Sequence, residues 1–263
     1  MKPSRYFLQL LFICFLFIQC KEETKVVKSI SSKNTVKYAK GFSIENYNGF
    51  SIVTVKNPWP NATKTYTYIL KEKKGKVPDS LTKNPIINVP IKRIVVTSTT
   101  HIPSLEMLDE EKKLIGFPNL DYISSEKVRK LIEQKKIKEL GNNQSLNTEV
   151  LLDLQPDVII GYGIDNNNPT LDNLQKSGLK VMLNGDWNEE TPLGKAEWIK
   201  FFGAIFGKQK KANELFSKIE KDYLRTIEIA KRATSTPTVL AGDIFEGKWY
   251  LPDRKSTRLN SSH

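Results

Sequence analysis

The chain has 263 residues, 39% hydrophobic and 10% aromatic, with 41 Lys+Arg against 29 Asp+Glu and a formal net charge of +12. That length accommodates one large domain or two lobes, and the composition excludes a disordered chain and a polytopic membrane protein. Two cysteines and two histidines exclude a disulfide framework and a His-rich metal site.

Residues 1–19 read as a signal peptide. Lys2 and Arg5 supply the positive start, and Phe7 to Ile18 form an apolar run shorter than the roughly 20 residues of a membrane-spanning helix. A short transmembrane anchor is the alternative. The run ends in Leu16-Phe17-Ile18-Gln19-Cys20, which resembles the lipobox of bacterial lipoproteins, with Gln19 where a small residue is usual. The resemblance implies cleavage before Cys20 and lipid on its thiol and amine, an attachment that more than one acyl chain makes stable. Residues 20–35, rich in Lys, Glu, Ser and Thr, then form a lipidated tether. Lys21-Glu22-Glu23 is similar to a surface-export signal of some Bacteroidetes lipoproteins, and a plain charged tether explains it equally well.

An N-terminal α/β lobe is expected over 36–190. It opens with an antiparallel β-meander over 39–70, where Phe42, Ile44 and Tyr47 alternate with polar residues, Asn48-Gly49 turns the chain, and Phe50, Ile52, Val53 and Val55 continue. Lys71 to Pro90 reads as a basic, proline-bearing connection. Strands then alternate with helices. The expected strands are Arg93–Thr97, Leu114–Phe117, Asp157–Gly161 and Leu179–Leu183; the helices are Pro103–Leu108, Glu126–Gln134, Thr148–Leu154 and Leu171–Lys176. This alternation predicts a parallel sheet flanked by helices. Residues 191–233 form a helical linker, with Gly194–Phe206 followed after Gly207 by Lys208–Lys231, whose apolar residues recur at three and four. New β-structure from Thr238 marks 234–252 as the start of a second lobe.

Residues 253–263, Asp-Arg-Lys-Ser-Thr-Arg-Leu-Asn-Ser-Ser-His, have no apolar period and resemble, codon for codon, the translation of a common sequencing adapter. They are expected to be an artefact that replaces most of the second lobe.

The sequence holds no phosphate-binding loop, no complete dinucleotide fingerprint and no nucleophile elbow. With His263 set aside, His101 is the single imidazole, too little for a triad or a zinc centre. In an open α/β sheet, ligands sit outside the carboxyl ends of the strands. The loops there are Ser98–His101, Asn119–Tyr122, Tyr162–Ile164 and Asn184–Trp187. The expected contact residues are Thr99, Thr100, His101, Asp121, Tyr122, Tyr162 and Trp187, with Trp249 of the second lobe. Apolar faces with a few polar tips suit a large flat or amphipathic ligand. Thr99, Thr100 and His101 equally read as a helix start, and the aromatics as edges of the core.

Arg93-Ile-Val-Val, Thr99-Thr-His-Ile-Pro-Ser-Leu-Glu-Met-Leu and, most specifically, Glu149-Val-Leu-Leu-Asp-Leu-Gln-Pro-Asp-Val-Ile-Ile resemble substrate-binding proteins of ABC importers for iron complexes and cobalamin. The resemblance runs from about Ala39 to Pro252 and implies a two-lobed periplasmic binding protein joined by a long linker helix, here with the second lobe mostly missing. It implies a ferric siderophore, haem or cobalamin as ligand, an ABC permease with its ATPase as partners, and Glu149 as a permease-docking carboxylate. His101 is then an axial ligand to haem iron or a polar wall. No cofactor, no protein-held metal and no nucleic acid are expected. The implied location is the envelope, lipid-anchored and facing the periplasm or exposed at the cell surface.

Two other readings remain open: an extracytoplasmic tetrapyrrole-acting α/β enzyme with His101 as base, and a surface capture protein for haem or siderophores that works without a permease. Without Lys2 and Arg5 at one end, and Asp253, Arg254, Lys255 and Arg258 at the other, the formal charge falls from +12 to +8. Basicity of that size steers acidic ligands such as haem propionates. Re-amplifying the locus from genomic DNA is expected to replace residues 253–263 with further coding sequence; a genomic stop codon directly after His263 would overturn the adapter reading.

Overall fold

The computed structural model describes residues 34–235, 237–238, 242–245 and 247–250. The expected signal peptide, Cys20, the tether up to residue 33, Val239–Ala241 and the adapter-like segment lie outside the described residues. The described residues fall into two compact units, divided between Ser217 and Lys218.

The first unit opens with a four-stranded sheet. β1 (Phe42–Tyr47) and β2 (Phe50–Val55) pair antiparallel about Asn48-Gly49, where Gly49 takes φ +83°, a conformation that costs glycine little. β3 (Tyr66–Glu72) runs antiparallel to β2. The supposed connection 71–90 ends in a fourth strand, β4 (Ile86–Val89), which pairs parallel to β3. Only four residues long and fenced by Pro85 and Pro90, it has too few alternations to show a period.

The second sheet is parallel throughout. Its strands are β5 (Ile94–Val96), β6 (Leu114–Phe117), β7 (Lys138–Glu139), β10 (Val158–Gly161) and β11 (Val181–Leu183), after a small hairpin of β8 (Gly141–Asn142) and β9 (Ser145–Leu146). Their spatial order is β11-β10-β5-β6-β7, so the chain leaves β5 toward one edge and later returns to its other side. That reversal between β5 and β10 opens a crevice at their carboxyl ends. Continuous Val/Ile runs in β5 and β10 are fully buried, as strands covered on both faces must be. The intervening helices are α1 (Ile102–Met107), α2 (Glu126–Glu133), α3 (Thr148–Leu154) and α4 (Pro169–Lys176). Ser125 and Asn147 cap α2 and α3 by accepting the N–H of Val128 and Val150.

The linker begins as two short helices, α5 (Pro192–Glu197) and α6 (Ile199–Ile205), where one was expected. Gly207 at φ +67° then turns the chain into α7 (Gln209–Lys231), 23 residues and roughly 35 Å long at 1.5 Å per residue. Its Ala212 and Phe216 join the core of the first unit. In the second unit β12 (Asp243–Phe245) pairs antiparallel with β13 (Lys248–Tyr250).

The four-stranded sheet is welded to the parallel one. Tyr68 of β3 is buried and its hydroxyl oxygen accepts the Leu183 N–H of β11 at 2.9 Å; burial raises the Tyr68 pKa. A second weld is polar. Glu197, with no exposed surface, accepts the backbone N–H groups of Lys37, Tyr38 and Ala39 at 2.6–3.0 Å. Glu189 takes those of Lys40 and Gly41, and the Trp198 indole N–H at 3.1 Å. The Lys200 ammonium lies 2.6 Å from Glu197 and also reaches the Thr35 carbonyl at 2.8 Å. Five successive backbone donors are thus held by two buried carboxylates, one of them neutralised by an adjacent cation, which is the condition for keeping such charges inside.

His101 closes the core near α6. Its ring is wholly buried, 5.6 Å from that of Phe202, and neither ring nitrogen has a hydrogen-bond partner among the described residues. Burial lowers its pKa, against a weaker upward pull from Asp186.

Two expectations follow for stability. Glu197→Ala leaves Lys200 and three backbone donors uncompensated, and urea denaturation is expected to show a loss of roughly 3–5 kcal/mol, whereas Lys211→Ala, which breaks an exposed pair with Asp109, is expected to leave the midpoint almost unmoved. The folded state favours neutral His101, so the unfolded chain binds the extra proton as pH falls below the ordinary 6.5. Stability therefore drops toward acid by up to about 1.4 kcal/mol per pH unit, and His101→Leu removes that slope in pH-dependent denaturation.

A candidate ligand mouth at the strand ends

The carboxyl ends of β5, β10 and β11 are laced together. Thr97 donates its N–H to the Ile160 carbonyl and accepts the Tyr162 N–H on its hydroxyl at 3.3 Å; the Asn184 N–H reaches the Gly161 carbonyl at 2.9 Å. This ladder fixes where the following loops begin.

After β5, Ser98 caps the 3-10 turn Thr99–His101 by accepting the Thr100 N–H. The Thr100 hydroxyl lies 2.9 Å from that of Ser98 and donates to Asp186 at 3.2 Å, so a bond spans from the β5 loop to the β11 loop across the end of β10. Thr99 and Thr100 are exposed at this crossing. The same turn that presents the threonines rotates His101 inward, and the imidazole does not reach the surface they form. Tyr162, half-buried, follows β10 and its hydroxyl accepts from Asn143 of the β8–β9 turn at 3.3 Å. Trp187 is partly buried against the core beneath, with its indole N–H buried and unpartnered. After β6, Tyr122 is 71% exposed and Asp121 lies 3.9 Å from Arg129. The structure thus brings Thr99, Thr100, Asp121, Tyr122, Tyr162 and Trp187 to one end of the sheet and sets His101 inside. Trp249, 57% exposed, belongs to the second unit.

Sequence reasoning missed Asp186 and Asn143, the partners that hold Thr100 and Tyr162. Asp186 stood in the Asn184–Trp187 loop, and only its reach to Thr100 marks it. Asn184 is buried, its Oδ1 accepting the Asp186 N–H and its own Nδ2 without a partner among the described residues. Next to the mouth a cavity of about 370 Å³ opens between Asn57–Ala62 and the Gly185–Glu190 loop. Among the described residues no three His, Cys, Asp or Glu side chains converge as a metal site. Glu149 is exposed in the first turn of α3.

The uncharacterized lipoprotein MJ0878 of Methanocaldococcus jannaschii is 27% identical over 255 residues, 90% of this chain and 59% of that protein. A second uncharacterized lipoprotein of that organism, MJ0872, is 26% identical over 214 residues, 79% of this chain and 53% of its own length. The chain therefore spans between half and three-fifths of these relatives. In three dimensions a periplasmic binding protein from Veillonella parvula superposes with a TM-score of 0.54 at 16% identity, over 78% of this chain and 60% of that one. A sequence model for the periplasmic binding proteins matches residues 94–259, from the first residue of β5 through the linker and beyond. That match covers more than half of the sequence, and the chain belongs to the periplasmic binding protein family.

Proposed function

We propose that the protein is a lipid-anchored substrate-binding protein that captures a metal complex, a ferric siderophore, haem or cobalamin, and delivers it to an ABC permease. The observation that carries this reading is the mouth itself. Hydroxyls of Thr99 and Thr100 and the aromatic rings of Tyr122, Tyr162 and Trp187 stand at the end of the sheet that holds the switch point, in loops whose charged side chains are carboxylates. Such a surface grips the organic periphery of a complex, and the absence of a metal-ligating cluster among the described residues fits a cargo that brings its own chelator. Lipoproteins among the relatives support attachment through Cys20 to the envelope. Glu149, exposed on the helix that enters β10, serves as a docking carboxylate for the permease, whose ATPase drives release. Burial of His101 weakens both the axial-ligand role and the enzyme reading that needs it as base.

The mouth loops also bear on the kind of complex. Residues 97–101, 118–125, 162–168 and 184–191 carry Asp121, Asp165, Asp186, Glu189 and Glu190 and not one Lys or Arg. Steering of acidic ligands by the overall positive charge finds no support there, and neutral or cationic complexes fit this half of the site better.

Tryptophan fluorescence of the intact gene product is titrated with haem, a ferric trihydroxamate, a ferric tricatecholate and cyanocobalamin. Saturable quenching by at least one is expected, and Tyr162→Ala weakens that binding about tenfold, the loss of one aromatic contact. No quenching by any of the four overturns the reading.

A further inference from the structure

The first unit has a second functional-looking end. β1 begins and β2 finishes beside the mouth, where Gly41 donates to Glu189 and Asn188 donates to the Asn57 carbonyl at 3.2 Å. At the far end of the same sheet Phe50 pairs with Lys71, and Glu72 with Val89. From Val89 the chain passes Ile91, whose N–H reaches the Ile205 carbonyl, straight into the start of β5. The Lys71–Lys76 turn therefore shares a pole with the amino ends of the parallel strands, opposite the mouth, before the chain runs back along the sheet to the start of β4.

Net charge differs between these poles. The mouth loops hold carboxylates and no basic residue. The opposite pole carries Glu72, Asp109, Glu110, Glu111 and Asp157 but a larger number of basic residues, and there Lys73, Lys74 and Lys76 are exposed and enter no ion pair among the described residues. The loops that feed β5, β7 and β11 add exposed Lys92, Lys135, Lys136, Lys176 and Lys180, likewise outside every ion pair there. By contrast Lys113, Lys200, Lys208 and Lys211 of the same unit each have a carboxylate.

The lysine turn is also held in place. The Gly75 N–H bonds the Glu72 carbonyl and the Glu72 N–H bonds the Gly49 carbonyl, both at 2.9 Å. A side chain on Gly75 would stand 1.8 Å from the Gly49 oxygen, so the two turns are in direct backbone contact. A scattered solvated surface needs neither that basic excess nor a fixed array. A flat partner of high negative charge density matches both, because each lysine brought to an anionic bilayer adds an attraction that survives within about a Debye length.

We propose that this lysine pole is a docking face for the anionic headgroups of a membrane, and that it seats the lobe with its mouth directed away from the bilayer. The proposal is independent of which ligand the mouth takes.

Amine acylation of the whole protein, mapped by mass spectrometry, tests it on vesicles of phosphatidylcholine with and without about one-third phosphatidylglycerol. On anionic vesicles at 0.1 M salt, Lys73, Lys74 and Lys76 are expected to react several-fold more slowly than on zwitterionic ones, with Lys40 beside the mouth unchanged and the difference gone in 1 M salt. The triple variant Lys73→Gln, Lys74→Gln, Lys76→Gln is expected to partition roughly 100-fold less onto anionic vesicles, about fivefold per lysine, while its circular dichroism and ligand titration stay as in the parent. Equal reactivity on both vesicle types, protection that ignores salt, or protection of Lys40 in place of the lysine pole would each overturn the proposal.

Discussion

Glu189 and Glu197 hold the fold together from within. Each is a carboxylate in a place where charge is costly, and each is made tolerable by a fan of backbone N–H donors. The donors come from residues 37–41, the lead-in to β1, while the acceptors come from the end of the β11 loop and from α5. One small cluster therefore ties the first strand of the chain to the end of the parallel sheet and to the start of the linker. Trp198 shares in it through its indole N–H, and the break between α5 and α6 falls at that residue, whose ring lies 4.4 Å from that of Phe42 of β1 at a 39° tilt. With these contacts in place, the four-stranded sheet packs as a fixed flank to the parallel one, and the 370 Å³ cavity beside the mouth lies in the seam between them.

The mouth depends on that arrangement at one remove. Asn184 to Glu189 is a single loop. Its first residue is bonded to Gly161 of β10, its third to Thr100 of the β5 loop, and its last to the N-terminal strap. A loop pinned at three points has little freedom, so the hydroxyls and aromatic rings it gathers are presented in a preset geometry, which lowers the ordering cost of binding. His101 is the exception to this economy. A buried imidazole with neither nitrogen bonded is unfavourable next to an apolar residue of like size, and the structure gives it no contact that offsets the cost.

Much of this was legible in the residues. Long buried runs such as Val158–Ile160 and the three-four stripe of Lys208–Lys231 carry their period on their face, and both elements fall within two residues of expectation. β4, β7 and the β8–β9 hairpin did not show, because two to four residues hold no period and their pairing is decided by neighbours. Glu197 looked like one more glutamate on a helix; its partners are backbone groups about 160 residues away, which leave no mark on side-chain pattern. The rule of strand ends named loops that the structure brings to one end of the sheet, but the direction of each side chain within them was not legible. One turn of 3-10 helix sends Thr99 and Thr100 outward and His101 inward, and adjacent letters in a sequence do not reveal that rotation.

The sorting of charge has a geometric consequence. A mouth of carboxylates and a base of lysines on opposite ends of one lobe cannot both lie on the same plane. A surface that holds the base sees only the back of the mouth, and a partner that meets the mouth, or Glu149 at the start of α3, leaves the base facing outward. If the base is seated as proposed, a partner for the mouth and a surface for the base engage the lobe from opposite directions, and ionic strength sets how firmly the base is held.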